Sequence, residues 1–261
     1  MIPETGKIYQ GDCLEIMRGW EFGFIDLVVT SPPYDSIREY KGFKFDATAT
    51  LSEIFRVLRS GGVCVWVVSD QVIEGSESLT SFKQAIAAVN IGFNLHDTMI
   101  YKKDGTCYPD KTRYLQCFEY MFIFSKGKPD TFNPIMQMSL YPGRKVSGRD
   151  RQPDGSLEKR MDKIYPEERV LDNIWNINAG YMKSSKDPLA YEHPAIFPEE
   201  LATKHIQSWS NPGDIVFDPF LGSGTTCLIA ERMNRKWIGT EISEEYVKLS
   251  QTRIDTERAQ G

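Results

Sequence analysis

The chain predicts an α/β fold in which helices cover both faces of a mostly parallel, twisted sheet, and three observations carry that prediction. The apolar runs Phe24–Val29 and Ile215–Phe217 read as buried parallel strands. Each opens directly into a loop of distinctive composition: Thr30-Ser31-Pro32-Pro33-Tyr34 after the first, Asp218-Pro219-Phe220-Leu221-Gly222-Ser223-Gly224-Thr225-Thr226 after the second. Around them, strand-like and helix-like periods alternate without internal repeats. Both loops therefore stand at carboxyl ends of strands, the edge where open α/β sheets bind ligands.

The elements follow in order. Lys7–Gln10 reads as a short strand ending at Gly11-Asp12, with a short helix over Leu14–Arg18. After the strand Phe24–Val29, Leu51–Leu58 carries apolar residues at helical spacing, and Ser60-Gly61-Gly62 is expected to stop it before a strand over Val63–Val68. Leu79–Val89 is a second amphipathic helix. Leu95–Tyr101 and Tyr120–Phe124 are β-rich and are expected to pair as an antiparallel hairpin at one edge of the sheet. From about 129 to 186 the periodicity fades into Gly, Pro and charge, which reads as an insertion in a single domain spanning 1–261. Regularity returns with a helix over Pro198–Trp209, the strand Ile215–Phe217, a helix over Thr225–Met233, a strand over Trp237–Thr240 and a last helix from Glu244 to about Thr256.

Bulk properties narrow the class. With 261 residues and 41% hydrophobic content the chain can bury a full core. No stretch approaches the roughly 18 apolar residues of a membrane span, and the start lacks a signal peptide's apolar segment, so a cytoplasmic protein is expected. The five cysteines, Cys13, Cys64, Cys107, Cys117 and Cys227, form no CxxC pair, which argues against a disulfide framework and a zinc cluster; no metal site is expected.

The second loop points to a cofactor. Gly222 and Gly224 allow a tight turn beside a ligand and Thr225 opens the next helix. Glu241 ends the following strand, where a carboxylate can accept both hydroxyls of a ribose. Together these imply an adenosine-bearing molecule. The full GxGxxG is missing, and an anionic Asp218 repels a pyrophosphate but suits the ammonium of a methionine moiety. S-adenosylmethionine is the first reading, with a nucleotide and a purely structural turn as alternatives.

The first loop points to chemistry on an amino group. Pro32 and Pro33 fix the backbone and remove two amide donors, leaving carbonyl oxygens able to face a bound group. An exocyclic amino group hydrogen-bonded to the Ser31 hydroxyl and the Pro32 carbonyl becomes more pyramidal and more nucleophilic, and orientation then supplies much of the rate. Tyr34 offers a stacking face for a base flipped out of its helix. Alone, the string also fits a rigid turn with a core tyrosine.

The two strings together resemble the paired motifs of S-adenosylmethionine-dependent DNA methyltransferases that modify exocyclic amino groups, in the permuted order of the β group, with the Ser-Pro-Pro-Tyr motif first. The resemblance implies a Rossmann-like methyltransferase fold and extends over most of the chain. Gly11-Asp12-Cys13-Leu14 is similar to the family's string in which an acid meets the cofactor adenine, which implicates Asp12 and Cys13. Arg56-Val57-Leu58-Arg59-Ser60-Gly61-Gly62 resembles its helix-to-strand junction. Ala195-Ile196-Phe197-Pro198 is similar to the segment shielding the methionine end, with Lys204 and Ser208 further along the helix. By the same resemblance Ser31, Asp218, Pro219, Phe220, Gly222, Ser223, Gly224, Thr225, Glu241 and Ile242 line the cofactor, while Ser31, Pro32, Pro33 and Tyr34 act on the base. His193 reads as structural rather than catalytic. A serine at the first position of that motif favours cytosine N4, with adenine N6 as the alternative. Methylation at cytosine carbon 5 needs a nucleophilic cysteine, typically after proline, and no Pro-Cys pair occurs.

The implied partner is double-stranded DNA. A net charge of −5 supplies no general attraction, so positive surface has to be local. Two segments offer it: Lys102–Lys128 with Arg113, and Tyr141–Arg169 with Arg144, Lys145, Arg149 and Arg151, although such mixed-charge runs are more often solvated surface. The region 129–186 is the expected target-recognition insertion. A homodimer, a cognate restriction endonuclease and a bacterial or phage-infected cell are implied by the resemblance alone. The rival readings are a methyltransferase acting on RNA or a small molecule, and a nucleic-acid-binding protein without activity.

Overall fold

A computed structural model describes residues 1–33, 45–104, 111–160 and 162–260; Tyr34 and Cys107 lie outside them. The first half of the chain forms β1 (Lys7–Gln10), α1 (Cys13–Arg18), β2 (Ile25–Thr30), α2 (Ala47–Val57) and β3 (Leu58–Val68). A tiny hairpin, β4 (Val72–Ile73) and β5 (Ser76–Glu77), precedes α3 (Thr80–Ile91), β6 (Asn94–Asp104) and β7 (Phe118–Ser125). Six short strands follow: β8 (Met136–Met138), β9 (Lys145–Val146), β10 (Arg149–Arg151), β11 (Leu157–Lys159), β12 (Lys163–Ile164) and β13 (Glu168–Val170). The chain closes with β14 (Ile174–Asn178), α4 (Glu199–Trp209), β15 (Ile215–Asp218), α5 (Thr225–Arg232), β16 (Lys236–Glu241) and α6 (Glu244–Gln260).

The chain divides into two compact units, residues 1–133 with 173–261, and Pro134–Asp172. The larger unit holds an eight-stranded sheet in the order β1-β16-β15-β2-β3-β7-β6-β14. Only β7 runs against the rest, pairing antiparallel with β3 and β6. Its two-sided burial explains the continuous apolar runs in the sequence. On one face Val28, Cys64, Trp66, Phe124 and Phe217 pack against Leu51, Ile54 and Val57 of α2 and Ala85 and Ala88 of α3. Their alternates Leu27, Val29, Val65, Ile123 and Val216 are buried as well, so both faces are covered.

Two features depart from expectation. The helix α2 stops at Val57, and β3 begins at once, at Leu58, so Gly61-Gly62 lie inside the strand instead of ending the helix. A side chain on Gly62 would meet the Asp26 carbonyl at 3.0 Å, so the glycine serves close strand contact. The β6–β7 hairpin forms, but β14 adds outside it, parallel to β6 from Ile174↔Ile100 to Asn178↔Asp104. The stretch read as 129–186 thus contributes a sheet strand, with Trp175 and Ile177 buried.

The smaller unit is a nested hairpin. β8 pairs with β13, β9 with β12 and β10 with β11, all antiparallel, and Gln152–Ser156 turns at its tip, where the Gln152 N–H donates to Ser156 O at 2.8 Å.

Candidate active site

The two motif loops meet because their strands are neighbours. β2 and β15 pair in parallel through Leu27↔Val216 and Val28↔Phe217. At their carboxyl ends the buried Thr30 hydroxyl donates to Asp218 Oδ1 at 2.6 Å, and the Thr226 hydroxyl donates to Val29 O at 3.3 Å. Just beyond lies a cavity of ≈ 1160 Å³, whose walls include Ser31, Pro32 and Pro33 from the first loop and Asp218–Ser223 from the second.

The second loop is held by backbone hydrogen bonds that its carboxylates organise. Asp218 Oδ1 also accepts from the Phe220 N–H at 3.0 Å, and the Leu221 N–H donates to Thr240 O at 3.0 Å. Glu241 divides its oxygens: Oε2 accepts from the Gly222 N–H and Oε1 from the Ser243 N–H, each at 2.9 Å. Gly222 has φ +53°, and a Cβ there would stand 3.1 Å from His193 Nε2. The left-handed conformation favours glycine here, and a side chain would press on the His193 ring.

Burial sets the protonation of these groups. Asp218 is pushed up to about 6 by burial, against the hydrogen bonds from the Thr30 hydroxyl and the Phe220 N–H that hold it down. Glu241 is raised by burial, opposed by backbone N–H groups of Ser243, Gly222 and Ile242. Cys13 is pushed up to about 12 by burial and by Asp12, so its thiol stays protonated and is no nucleophile.

Asp12, in the cavity wall, caps α1, Oδ1 accepting from the Leu14 N–H at 2.8 Å and the Glu15 N–H at 3.2 Å. Gly11, Cys13, Phe45 and Thr50 line the cavity as well. The cofactor-side residues Asp12, Cys13, Ser31, Phe197, Asp218, Pro219, Phe220, Gly222, Ser223, Thr225, Glu241 and Ile242 all line the same cavity. Three others do not. Gly224, at φ +84°, packs against Ser250, where a Cβ would come within 2.6 Å of that residue's Cβ, so it serves helix contact and not the lining. Lys204 and Ser208 lie too far along α4, whose N-terminal end alone, through Pro198 and Leu201, borders the cavity. The Lys204 ammonium turns to Glu200 at 2.7 Å and lies over the Trp175 ring at 5.5 Å, while Ser208 is buried.

Several lining residues lie outside the set that the sequence assigns to the site. Lys103 and Glu119 form an ion pair across β6 and β7 beside the buried Tyr101, and all three border the cavity. His193 also borders it, with Nδ1 accepting from the Ala195 N–H at 3.1 Å and its ring edge-on to Tyr246 at 4.4 Å.

The expected DNA contacts fall in different settings. Arg113 is exposed and donates to the Gly75 carbonyl. In the hairpin unit Lys145 pairs with Asp162 at 3.1 Å and Arg144 lies over the Tyr141 ring at 5.1 Å. Arg149 and Arg151 alternate with Asp150 along β10, both exposed. Asp150 is taken by Arg160.

The residues present fit S-adenosylmethionine. Carboxylates with lone pairs to spare suit ribose hydroxyls and an ammonium, and Phe197, Pro219 and Phe220 supply apolar wall. The volume exceeds the roughly 300–1,000 Å³ of ordinary small-ligand pockets, leaving room for a second reactant. Among the described residues no cluster of His, Cys, Asp and Glu suits a metal ion, and no helix is long and apolar enough to cross a membrane.

A mostly parallel sheet with one reversed strand, and paired loops over a shared cavity, define a Rossmann-like methyltransferase. The chain belongs to the N6/N4 methyltransferase family: the family model described as DNA methylase matches residues 25–252. Orphan methyltransferase M.BamHII of Bacillus amyloliquefaciens is 53% identical over 234 residues, covering 88% of each chain. Among solved structures, the cytosine-N4-specific PvuII DNA methyltransferase superposes with a TM-score of 0.71 at 23% identity, covering 96% of this chain and 86% of its own. The protein TTHA0409 of Thermus thermophilus, complexed with S-adenosyl-L-methionine, does so with a TM-score of 0.64 at 25% identity, covering 96% and 95%. The chain is therefore an S-adenosylmethionine-dependent DNA amino-methyltransferase.

Proposed function

We propose that this enzyme methylates cytosine N4 of a base flipped out of duplex DNA, with adenine N6 as the alternative target, and that the loop after β2 is its catalytic element. The observation that carries this reading is the Thr30–Asp218 hydrogen bond of 2.6 Å, which joins the two loops so that Ser31-Pro32-Pro33 and Asp218–Ser223 line one cavity. When bound, S-adenosylmethionine supplies an electrophilic methyl carbon on a sulfonium. The chain's own residues do the rest. Asp218 takes the ammonium, Glu241 the ribose hydroxyls and Asp12 the adenine edge. The Ser31 hydroxyl and Pro32 carbonyl accept the N–H groups of the target amine and aim its lone pair at the methyl carbon, while Pro33 keeps the turn rigid. Tyr34, assigned from the sequence, stacks on the base. No titrating base is needed, since the proton leaves to solvent or a carbonyl after methyl transfer.

Support for cytosine is the serine at position 31, together with the cytosine-N4 specificity named for the PvuII enzyme. The nested hairpin Pro134–Asp172, with Arg144, Lys145, Arg149 and Arg151, is proposed as the DNA-reading element, and Arg113 as a phosphate contact. A homodimer and a cytoplasmic setting complete the reading. The orphan description of M.BamHII favours action without a partner restriction endonuclease. The test is to incubate the protein with S-adenosylmethionine and mixed-sequence duplex DNA, digest to nucleosides and identify the product by mass spectrometry. N4-methylcytosine supports the assignment and N6-methyladenine overturns the base; methylation in a parallel incubation with RNA, with none of the DNA, overturns the substrate.

A further inference from the structure

The glycine loop is held at its far end by a residue distant in sequence. Residues 218–222 are fixed by the hydrogen bonds to Asp218, Thr240 and Glu241 described above, but the turn into α5 lacks a side-chain cap: Gly224 at the N-cap position offers none, and the Ser223 and Thr225 hydroxyls stand 3.4 Å apart. What meets this turn is Arg253 of α6, whose side chain is fully buried. Its Nη1 donates to the Ser223 carbonyl and, at 3.3 Å, to the Thr225 hydroxyl, while Nε donates to Asp187 Oδ2 at 2.6 Å and Nη2 stands 3.6 Å from Glu199 Oε1.

A cation beside the N-terminus of a helix works against the helix dipole, and a buried guanidinium is costly unless paired. Helix stability therefore does not account for Arg253. Its partners share another property: each adjoins a separate stretch of the cavity wall. Ser223 and Thr225 line it directly, Asp187 leads the turn that carries Tyr191 and His193, and Glu199 follows Phe197 and Pro198. Glu199 in turn pairs with Arg232 at 2.8 Å, and Arg232 with Glu257 at 2.7 Å, so the charges alternate through the cluster.

We propose that Arg253 is a positioning residue of the cofactor site, which locks the Ser223 carbonyl and draws three wall segments onto one guanidinium. This rests on the reading of that cavity as the S-adenosylmethionine site. Lysine keeps the charge but cannot span Ser223 and Asp187 as a planar fork does. Arg253→Lys is therefore expected to raise the Kd and KM for S-adenosylmethionine about tenfold, with kcat at saturating cofactor within about twofold of wild type. Asp187→Asn, which leaves the arginine in place but loosens one arm, is expected to give a smaller shift of the same kind, about threefold.

The experiment is calorimetric titration of S-adenosylmethionine into the wild type and both variants, beside steady-state kinetics on DNA and thermal unfolding. A rise in Kd and KM in both folded variants, larger for the lysine, supports the proposal. Wild-type Kd in either folded variant, or a fall in kcat with KM unchanged, overturns it. Should Arg253→Lys not fold, Asp187→Asn decides alone by the same criterion. Absence of cofactor binding by the wild type would instead overturn the reading of the cavity, a distinct result.

Discussion

The buried hydroxyl of Thr30 donates to Oδ1 of the buried Asp218 across 2.6 Å, and this bond fixes the Ser-Pro-Pro loop against the glycine loop. Replacing Thr30 by valine keeps the shape and removes the donor. The carboxylate then loses its shortest partner, a change that costs about 1–3 kcal/mol. Thr30→Val should lower the urea midpoint accordingly and weaken cofactor binding, measured by calorimetry. Unchanged stability and affinity would show the bond to be incidental.

Burial pushes the Asp218 carboxyl up to about 6. Its folded pKa of about 6 lies above the ordinary 3.8 because it is buried, so between those values the folded state holds more protons than the unfolded one. Its contribution to stability is thus full below about pH 4 and is lost as pH rises through about 6. Binding of an ammonium runs the opposite way, since it needs the ionised form. Affinity for S-adenosylmethionine should strengthen as pH rises through about 6. Asp218→Asn should remove that dependence, whereas Glu241→Gln should keep it with a lower midpoint, since the Glu241 charge is one of the causes that raise Asp218.

Gly222 and Gly224 make different contacts and should fail differently. Gly224→Ala forces a side chain into the left-handed region, at φ +84°, and into Ser250 Cβ at 2.6 Å. The conformational part alone costs about 1–2 kcal/mol, so stability should fall, read as a lower unfolding midpoint. Gly222→Ala pushes on the His193 ring within the cavity wall, and its larger effect should fall on cofactor affinity.

Ser31 tests the chemistry. A well-placed hydrogen-bonding group at a reacting centre is worth about 10²–10³ in rate. Ser31→Ala should lower kcat by about 10²-fold, a larger loss than the weakening of cofactor binding. Equal losses in both would move Ser31 from catalysis to binding.

The hairpin's cations should not contribute equally to DNA binding. Lys145 is already paired with Asp162, whereas Arg149 and Arg151 are exposed on β10. With log K falling by about 0.9 per phosphate contact per log unit of salt, Arg149→Ala with Arg151→Ala should flatten the slope by up to about 2. Lys145→Ala should change it less. An unaltered slope in the double variant would remove this segment from the interface.

The amino-acid sequence by itself determined the alternating fold and the residues whose roles are local. Asp218, Gly222 and Glu241 stand out because a glycine turn between two strands forces backbone and carboxylate against a ligand within one βαβ unit, and the Ser-Pro-Pro string is rigid wherever it lies. Proline and glycine declare their constraints in the chain itself. The tertiary structure alone decided what long-range contact creates. It set β14 outside the hairpin, turned Lys204 and Ser208 away from the cavity, and brought Lys103, Glu119, His193 and Arg253 to the site or its support. Arg253 occupies the buried face of α6 with Leu249, Ser250 and Ile254, a helical spacing visible in the sequence, but one charged residue on an apolar face names no partner. Its partners Ser223, Asp187 and Glu199 come from three segments distant along the chain. A local pattern reports the conformation a segment must adopt, whereas a buried charge is assigned only when packing removes water and leaves it the partners that the fold supplies.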